Sequence, residues 1–259
     1  MSKFTLQERR NPEWYAMDLR QEMEIPDSEP IDLDNLLRIL NIHLKIARIG
    51  KGILGACKVK GLHKLIVISP DILYETNKRF TISHEIGHLI IHHGVHYCYA
   101  DDLKMWISKS TKEKEANKFA AELLLPQRTV KSKLNKHDVS LELAAILSNQ
   151  YNISLTSAII RLVELSEENV CVFCQKNDKI CWYMRSNECR FSPRTGAISY
   201  DSLSYITSLK RQKQEGYVNP SSWFEEDEFD EDLNCHEETW YFENLNMKLS
   251  VVRLETDYW

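Results

Sequence analysis

Residues 79–94 read Arg79-Phe80-Thr81-Ile82-Ser83-His84-Glu85-Ile86-Gly87-His88-Leu89-Ile90-Ile91-His92-His93-Gly94. Phe80, Ile86, Leu89 and Ile90 recur at the spacing of one buried stripe, which predicts a helix closed by Gly94. On a helix, residues four apart lie on one face, one turn above each other. His84 and His88 can therefore point ring nitrogens at a single metal ion. Glu85 is rotated away from that line but stays beside the ion, where it can hold a water. The apolar flanks predict that this polar face borders a cleft.

The pattern is the H-E-x-x-H of zinc-dependent peptidases. A catalytic zinc takes three protein ligands and keeps a fourth position open. Ile91 and Gly94 stand where a metzincin needs Gly and His, which excludes that class. His92 lies eight residues from His84, about 12 Å along the axis of an intact helix, too far to share its metal. It reads as the polar end of the helix. The run Glu113-Lys-Glu-Ala-Asn-Lys-Phe-Ala-Ala-Glu-Leu-Leu-Leu, ended by Pro126, is a second helix with Ala116, Phe119, Ala120, Leu123 and Leu124 as its stripe. A carboxylate from this helix can complete the site. Glu115 stands at the edge of the stripe, with Glu113 and Glu122 as rivals that spacing leaves open.

Around these two segments the chain divides. Residues 13–24 and 32–40 read as helices separated by Pro26 and Pro30. Residues 44–69 alternate and carry Gly50, Gly52, Gly55 and Gly61, the mark of a small sheet with tight turns. The stretch 95–111 reads as irregular. Helices are expected at 140–149 and 155–165, joined by a short turn as in a helix-turn-helix. Beyond the polar Ser166-Glu-Glu-Asn169, a hairpin turns at Lys176-Asn-Asp-Lys179 and a terminal strand runs over 245–254. The fold class is α+β, with a domain over 1–168 that includes the helix pair and a smaller β-rich domain over 169–259.

His84-Glu-Ile-Gly-His88 followed by Glu115-Ala-Asn-Lys-Phe-Ala-Ala-Glu-Leu-Leu-Leu-Pro126 resembles the ImmA/IrrE family of metallopeptidases. Arg79-Phe80-Thr81 before the motif and Arg161-Leu-Val-Glu-Leu165 at the end of the helix pair fit as well, so the resemblance spans residues 13–165. It implies a zincin-like helical domain in which His84, His88 and Glu115 hold Zn2+ and Glu85 is the general base. Mn2+ is also compatible with a His2Glu donor set. Zinc lowers the pKa of its bound water to about 7. Glu85 would take that proton and deliver one to the leaving amine. The resemblance further implies that the substrate is a helix-turn-helix repressor, whose cleavage switches on stress, mobile-element or defence genes.

Composition sets the remaining expectations. A chain of 259 residues, 43% hydrophobic and 27% charged, can bury a core without disulfides. The seven cysteines are odd in number and scattered, which suits a reducing cytoplasm. Met1–Arg10 lacks the apolar core of a secretory signal, and no apolar run reaches the length of a membrane span. Removing the seven acidic residues of 225–232 from the net charge of −5 leaves about +2. That run reads as a solvated loop. The second helix of the pair carries Arg161 beside Glu164 and no other basic residue, so direct nucleic-acid binding is not expected. Cys98, ten residues past His88, has two readings: a buried loop cysteine, or a fourth zinc ligand that keeps the enzyme latent. Cys171, Cys174, Cys181 and Cys189 lack a second C-x2-C pair and read as packing residues. The aromatic residues of 170–259 form no catalytic constellation, and that region reads as a regulatory module.

Overall fold

The computed structural model describes residues 11–92, 95–99, 110–207, 212–225, 229 and 233–256. They form two compact units. One holds the chain up to Thr129 together with Asn149–Ser154, and the other holds Val130–Ser148 with the chain from Leu155 onward. Most of the acidic run, His93, Gly94 and residues 100–109 lie outside the described residues.

The first unit opens with α1 (Pro12–Glu22), started by Pro12 at its first position and by the Asn11 side chain, which accepts from Glu13 N. Arg20 on α1 is buried, and its guanidinium donates to the carbonyls of Leu123, Pro26 and Glu29 at 2.8, 2.7 and 2.6 Å. This one side chain ties the first helix, the Pro26–Pro30 connection and the later motif helix together. Helix α2 (Leu33–Ile39) is capped by Asp32 and leads into β1 (Ile42–Ile46). Strands β2 (Ile53–Lys60) and β3 (His63–Ile68) form a hairpin through Gly61, whose positive φ of 62° suits the tight turn. A further strand, β4 (Val95–Tyr99), pairs antiparallel with β2, giving the order β1-β3-β2-β4 with β1 parallel to β3. The stretch expected to be irregular therefore begins with an edge strand.

The motif lies on α3 (Glu75–Gly87), which passes at His88 into a π-helical turn, His88–His92. Helix α4 (Thr111–Leu124) packs along it. Two glycines set these distances. A Cβ on Gly55 of β2 would stand 2.4 Å from Glu85 Oε1 and 2.8 Å from Thr81 Cγ2. A Cβ on Gly87 would stand 3.0 Å from the Phe119 ring and 3.3 Å from Ala116 Cα. The sheet and α4 thus both approach α3 at backbone range, and the run Thr81–Leu89 is buried on every side. The His-Glu-His face is enclosed rather than at the border of an open cleft.

In the second unit, α5 (Gln127–Leu134), α6 (Leu141–Tyr151) and α7 (Leu155–Leu165) precede a six-stranded antiparallel sheet. Its strands are β5 (Val170–Lys176), β6 (Lys179–Arg185), β7 (Gly196–Ala197), β8 (Lys213–Val218), β9 (Leu233–Phe242) and β10 (Met247–Thr256), in the order β7-β6-β5-β10-β9-β8. The expected hairpin is present: Asn177 and Asp178 both take positive φ, 51° and 55°, between β5 and β6. Cys171, Cys189 and Cys235 pack with Phe173, Trp223, Phe224 and Val252 in one apolar core. A short helix, α8 (Leu203–Ile206), is held at its start by Glu237 of β9, which accepts from Leu203 N and Ser204 N.

The division expected at 168/169 and the packing differ. Helix α7 packs on β5 and β6, Leu141 N donates to Glu238, and Arg253 reaches Val139 O and Asp138. The helix pair thus groups with the C-terminal sheet over Val130–Ser148 and from Leu155. A buried helix face matches either neighbour in its apolar pattern, and only these polar contacts draw the line.

Candidate metal centre

Four elements converge on His84. Helix α3 brings His84 and Glu85, the π turn brings His88 and His92, α4 brings Glu113, Glu115 and Asn117, and β4 brings His96 and Cys98. His84 Nε2 lies 3.0 Å from His88 Nε2 and 3.0 Å from Glu113 Oε2, and His88 Nε2 lies 3.2 Å from the same oxygen. All three side chains are buried, as is Glu85.

Hydrogen bonds behind the imidazoles fix where their protons sit. Asn117 Oδ1 is 2.8 Å from His84 Nδ1 and accepts its proton, leaving a lone pair on Nε2. Glu115 Oε2 is 2.7 Å from His92 Nε2 and accepts there; His92 Nδ1 in turn accepts from His88 Nδ1 at 2.9 Å. His88 Nε2 is then also a lone pair. His96 stacks on the other face of His88, with centroids 4.5 Å apart and planes 8° from parallel. Three lone-pair atoms therefore meet at about hydrogen-bond distance, an arrangement that repels itself unless a cation sits among them. Donors on a tetrahedral zinc at roughly 2.0–2.1 Å stand about 3.3–3.4 Å apart. The triangle of two imidazoles and a carboxylate matches that spacing and that chemistry, so the residues fit the metal that the motif implies.

The third member of the triangle corrects the sequence expectation: it is Glu113, not Glu115. At 100° per residue, positions 113 and 115 point to opposite sides of α4. Glu113 lies in register with Ala116, Asn117 and Ala120, the buried residues at i+3, i+4 and i+7. That is the face turned toward α3, where Asn117 also meets His84. Glu115 lies outside that register and takes the role of holding His92. Glu122, the other rival, accepts from Gln127 N through both oxygens and caps the helix that follows Pro126. His92, read as a polar helix end, is the link between Glu115 and His88.

Electrostatics separate the two carboxylates. Burial works to raise the Glu113 carboxyl, but its contacts with the His84 and His88 imidazoles outweigh it and hold it down to about 2. Burial pushes Glu85 up to about 8; the neighbouring Cys57 thiol works against that rise and the Glu113 charge adds to it. Apart from the Cys57 thiol, no hydrogen bond among the described residues satisfies either Glu85 oxygen, although both are buried. Burial also lowers His88 and His92, keeping them neutral. Cys57, on β2, is raised far above the usual thiol range by burial and by the Glu85 charge, so it remains a thiol. Cys98 is fully buried, and its sulfur and the ligand atoms of His84 and Glu113 all lie within 4.8 Å of one another. It is a strand residue rather than a loop residue, paired with Gly55. No cysteine of the second unit belongs to such a group among the described residues.

Residues 38–163 match the IrrE N-terminal-like domain, Peptidase M78. A comparison with curated proteins finds no match. Among solved structures, a Mycobacterium tuberculosis transcriptional regulator is similar in fold, with a TM-score of 0.55 at 10% identity, over 93% of this chain and 74% of that one. No helix among the described residues is long and apolar enough to cross a membrane.

Proposed function

Residues 38–163 belong to the ImmA/IrrE family, and from that premise we propose that the protein is a zinc-dependent endopeptidase acting on a helix-turn-helix repressor. His84, His88 and Glu113 are the metal ligands and Glu85 is the general base. The observation that carries the reading is the triangle of lone pairs at 3.0–3.2 Å beside a buried carboxylate opposed by a thiol alone. A purely structural metal site has no use for that carboxylate.

Zinc bound by these three residues supplies Lewis acidity toward a carbonyl and lowers the pKa of a coordinated water. The chain supplies the rest. Asn117 and the Glu115–His92 pair hold both imidazoles in the tautomer that donates Nε2. Glu85, beside the metal position, is placed to take a proton from the attacking water and to return one to the leaving amine. Gly55 keeps β2 close without filling the space beside Glu85 Oε1. The Cys57 proton is held firmly, so that thiol is a poor nucleophile for a covalent intermediate. The repressor substrate, the genes of stress, mobile elements or defence that it controls, and a cytoplasmic location follow from the family resemblance and the scattered free cysteines. The same reading assigns no membrane contact and no direct nucleic-acid contact.

The test is digestion of a helix-turn-helix repressor encoded beside the protein, with fragment masses read out. Wild type yields two fragments, chelator abolishes them, and Glu85→Gln lowers the rate by roughly 10²–10⁴-fold with metal still bound. Full activity in Glu85→Gln overturns the mechanism. A stable complex with an intact repressor would instead make the protein a sequestering antirepressor.

A further inference from the structure

Cys98 faces the metal triangle from the sheet. In the β2–β4 pair it stands opposite Gly55, and His96 stands opposite Cys57. Directly opposed residues share a face of a sheet. Gly55 and Cys57 face Glu85; Cys98 and His96 therefore face it too, and His96 indeed stacks on His88. Beside the His84–His88–Glu113 triangle, the ligand atoms of His84, Glu113 and Cys98 also lie within 4.8 Å of one another. The two groups share His84 and Glu113, and together they offer two imidazoles, one carboxylate and one sulfur, the kinds of donor that close a tetrahedral zinc site. The burial of all four side chains suits a closed site as well.

We propose that Cys98 is the fourth metal ligand of the resting protein, which closes the position that water needs and leaves Glu85 without a nucleophile to activate. This rests on the metal reading given above. The device opens by moving one edge strand. Among the described residues β4 pairs with β2 alone, at the edge of the order β1-β3-β2-β4, so displacing it breaks that one ladder. Activation then amounts to exchanging sulfur for water at an intact His84–His88–Glu113 set, and whatever displaces β4, a repressor segment included, is the activator.

The full-length protein loaded with cobalt(II) tests this without reference to activity. A cobalt–thiolate bond produces a charge-transfer band in the near ultraviolet. Wild type should show the band. Cys98→Ala and the equal-volume Cys98→Ser should lose it while still binding the metal, and Cys57→Ser should keep it. Cobalt bound without the band, or a band that survives in both Cys98 variants, overturns the proposal and leaves the three-ligand peptidase site standing. No cobalt uptake, or uptake indifferent to His84→Ala, overturns the metal reading and this proposal with it. The corresponding kinetic expectation is that Cys98→Ala raises basal repressor cleavage.

Discussion

Among the described residues, Glu85 in one unit and Glu237 in the other are both 0% exposed, and the two are treated in opposite ways. Glu237 in the C-terminal sheet accepts from Leu203 N, Ser204 N, Trp223 Nε1 and Thr239 Oγ1 at 2.6–2.9 Å. Glu85 is equally buried and, apart from the Cys57 thiol, no hydrogen bond among the described residues satisfies it. Burial raises both pKa values, but at Glu237 four donors oppose the rise, whereas at Glu85 the opposition comes from one thiol. A satisfied buried carboxylate is a structural joint; an unsatisfied one is kept for a partner that arrives from outside. The comparison locates chemistry in the first unit and architecture in the second.

The largest effect expected is on pH. The folded-state pKa of Glu85 is raised to about 8 from 4.5, so its proton contributes stability that is fully present below about 4.5. That contribution is lost as pH rises through 8. Metal-free wild type should lose on the order of 4–5 kcal/mol of unfolding free energy across that window relative to Glu85→Gln. Urea unfolding at pH 4 to 9 measures it, and parallel curves for the two proteins break the contrast. Next, Glu237→Ala should cost about 2–4 kcal/mol, because it strands buried donors, with the metal site of the first unit untouched. A change in cobalt affinity in that variant would show the two units to be one device. The smallest effect belongs to the relay. His92→Ala and Glu115→Ala should each weaken metal affinity by about 10–100-fold, measured by competition with a chelator, and the double variant should fall little further than either single one. Full additivity would mean that the two residues do not act in series.

How much of this was legible varied with what each face of an element had to do. The motif helix was readable because its apolar residues keep the helical period, and the hairpin at Asn177-Asp178 because only certain residues tolerate that turn. Glu113 and Glu115 could not be separated, since both border the stripe of Ala116, Phe119 and Ala120. Which border faces α3 is decided by Asn117 reaching His84. Strand β4 went unread for a different reason. Its inward residues are His96 and Cys98 and its outward ones are Tyr97 and Tyr99, about half exposed, which inverts the usual alternation. Strand β9 hides in the same way, with Cys235, Glu237 and Thr239 turned inward and buried. Strands escape pattern reading where their buried face carries polar work.

The unbroken pairs from Gly55–Cys98 to Lys58–Val95 set the phase of β4 against β2, and the register shifts only where Ile53 meets Tyr99. Side chains alternate strictly along a strand, so a slip of one residue there would rotate the whole of β4 by half a turn. Tyr97 and Tyr99 would swing over the histidines, and the sulfur of Cys98 would face the solvent. One displaced ladder step is thus a binary code: the same five residues turn an imidazole and a thiol toward the buried histidines in one frame and two phenol rings in the other.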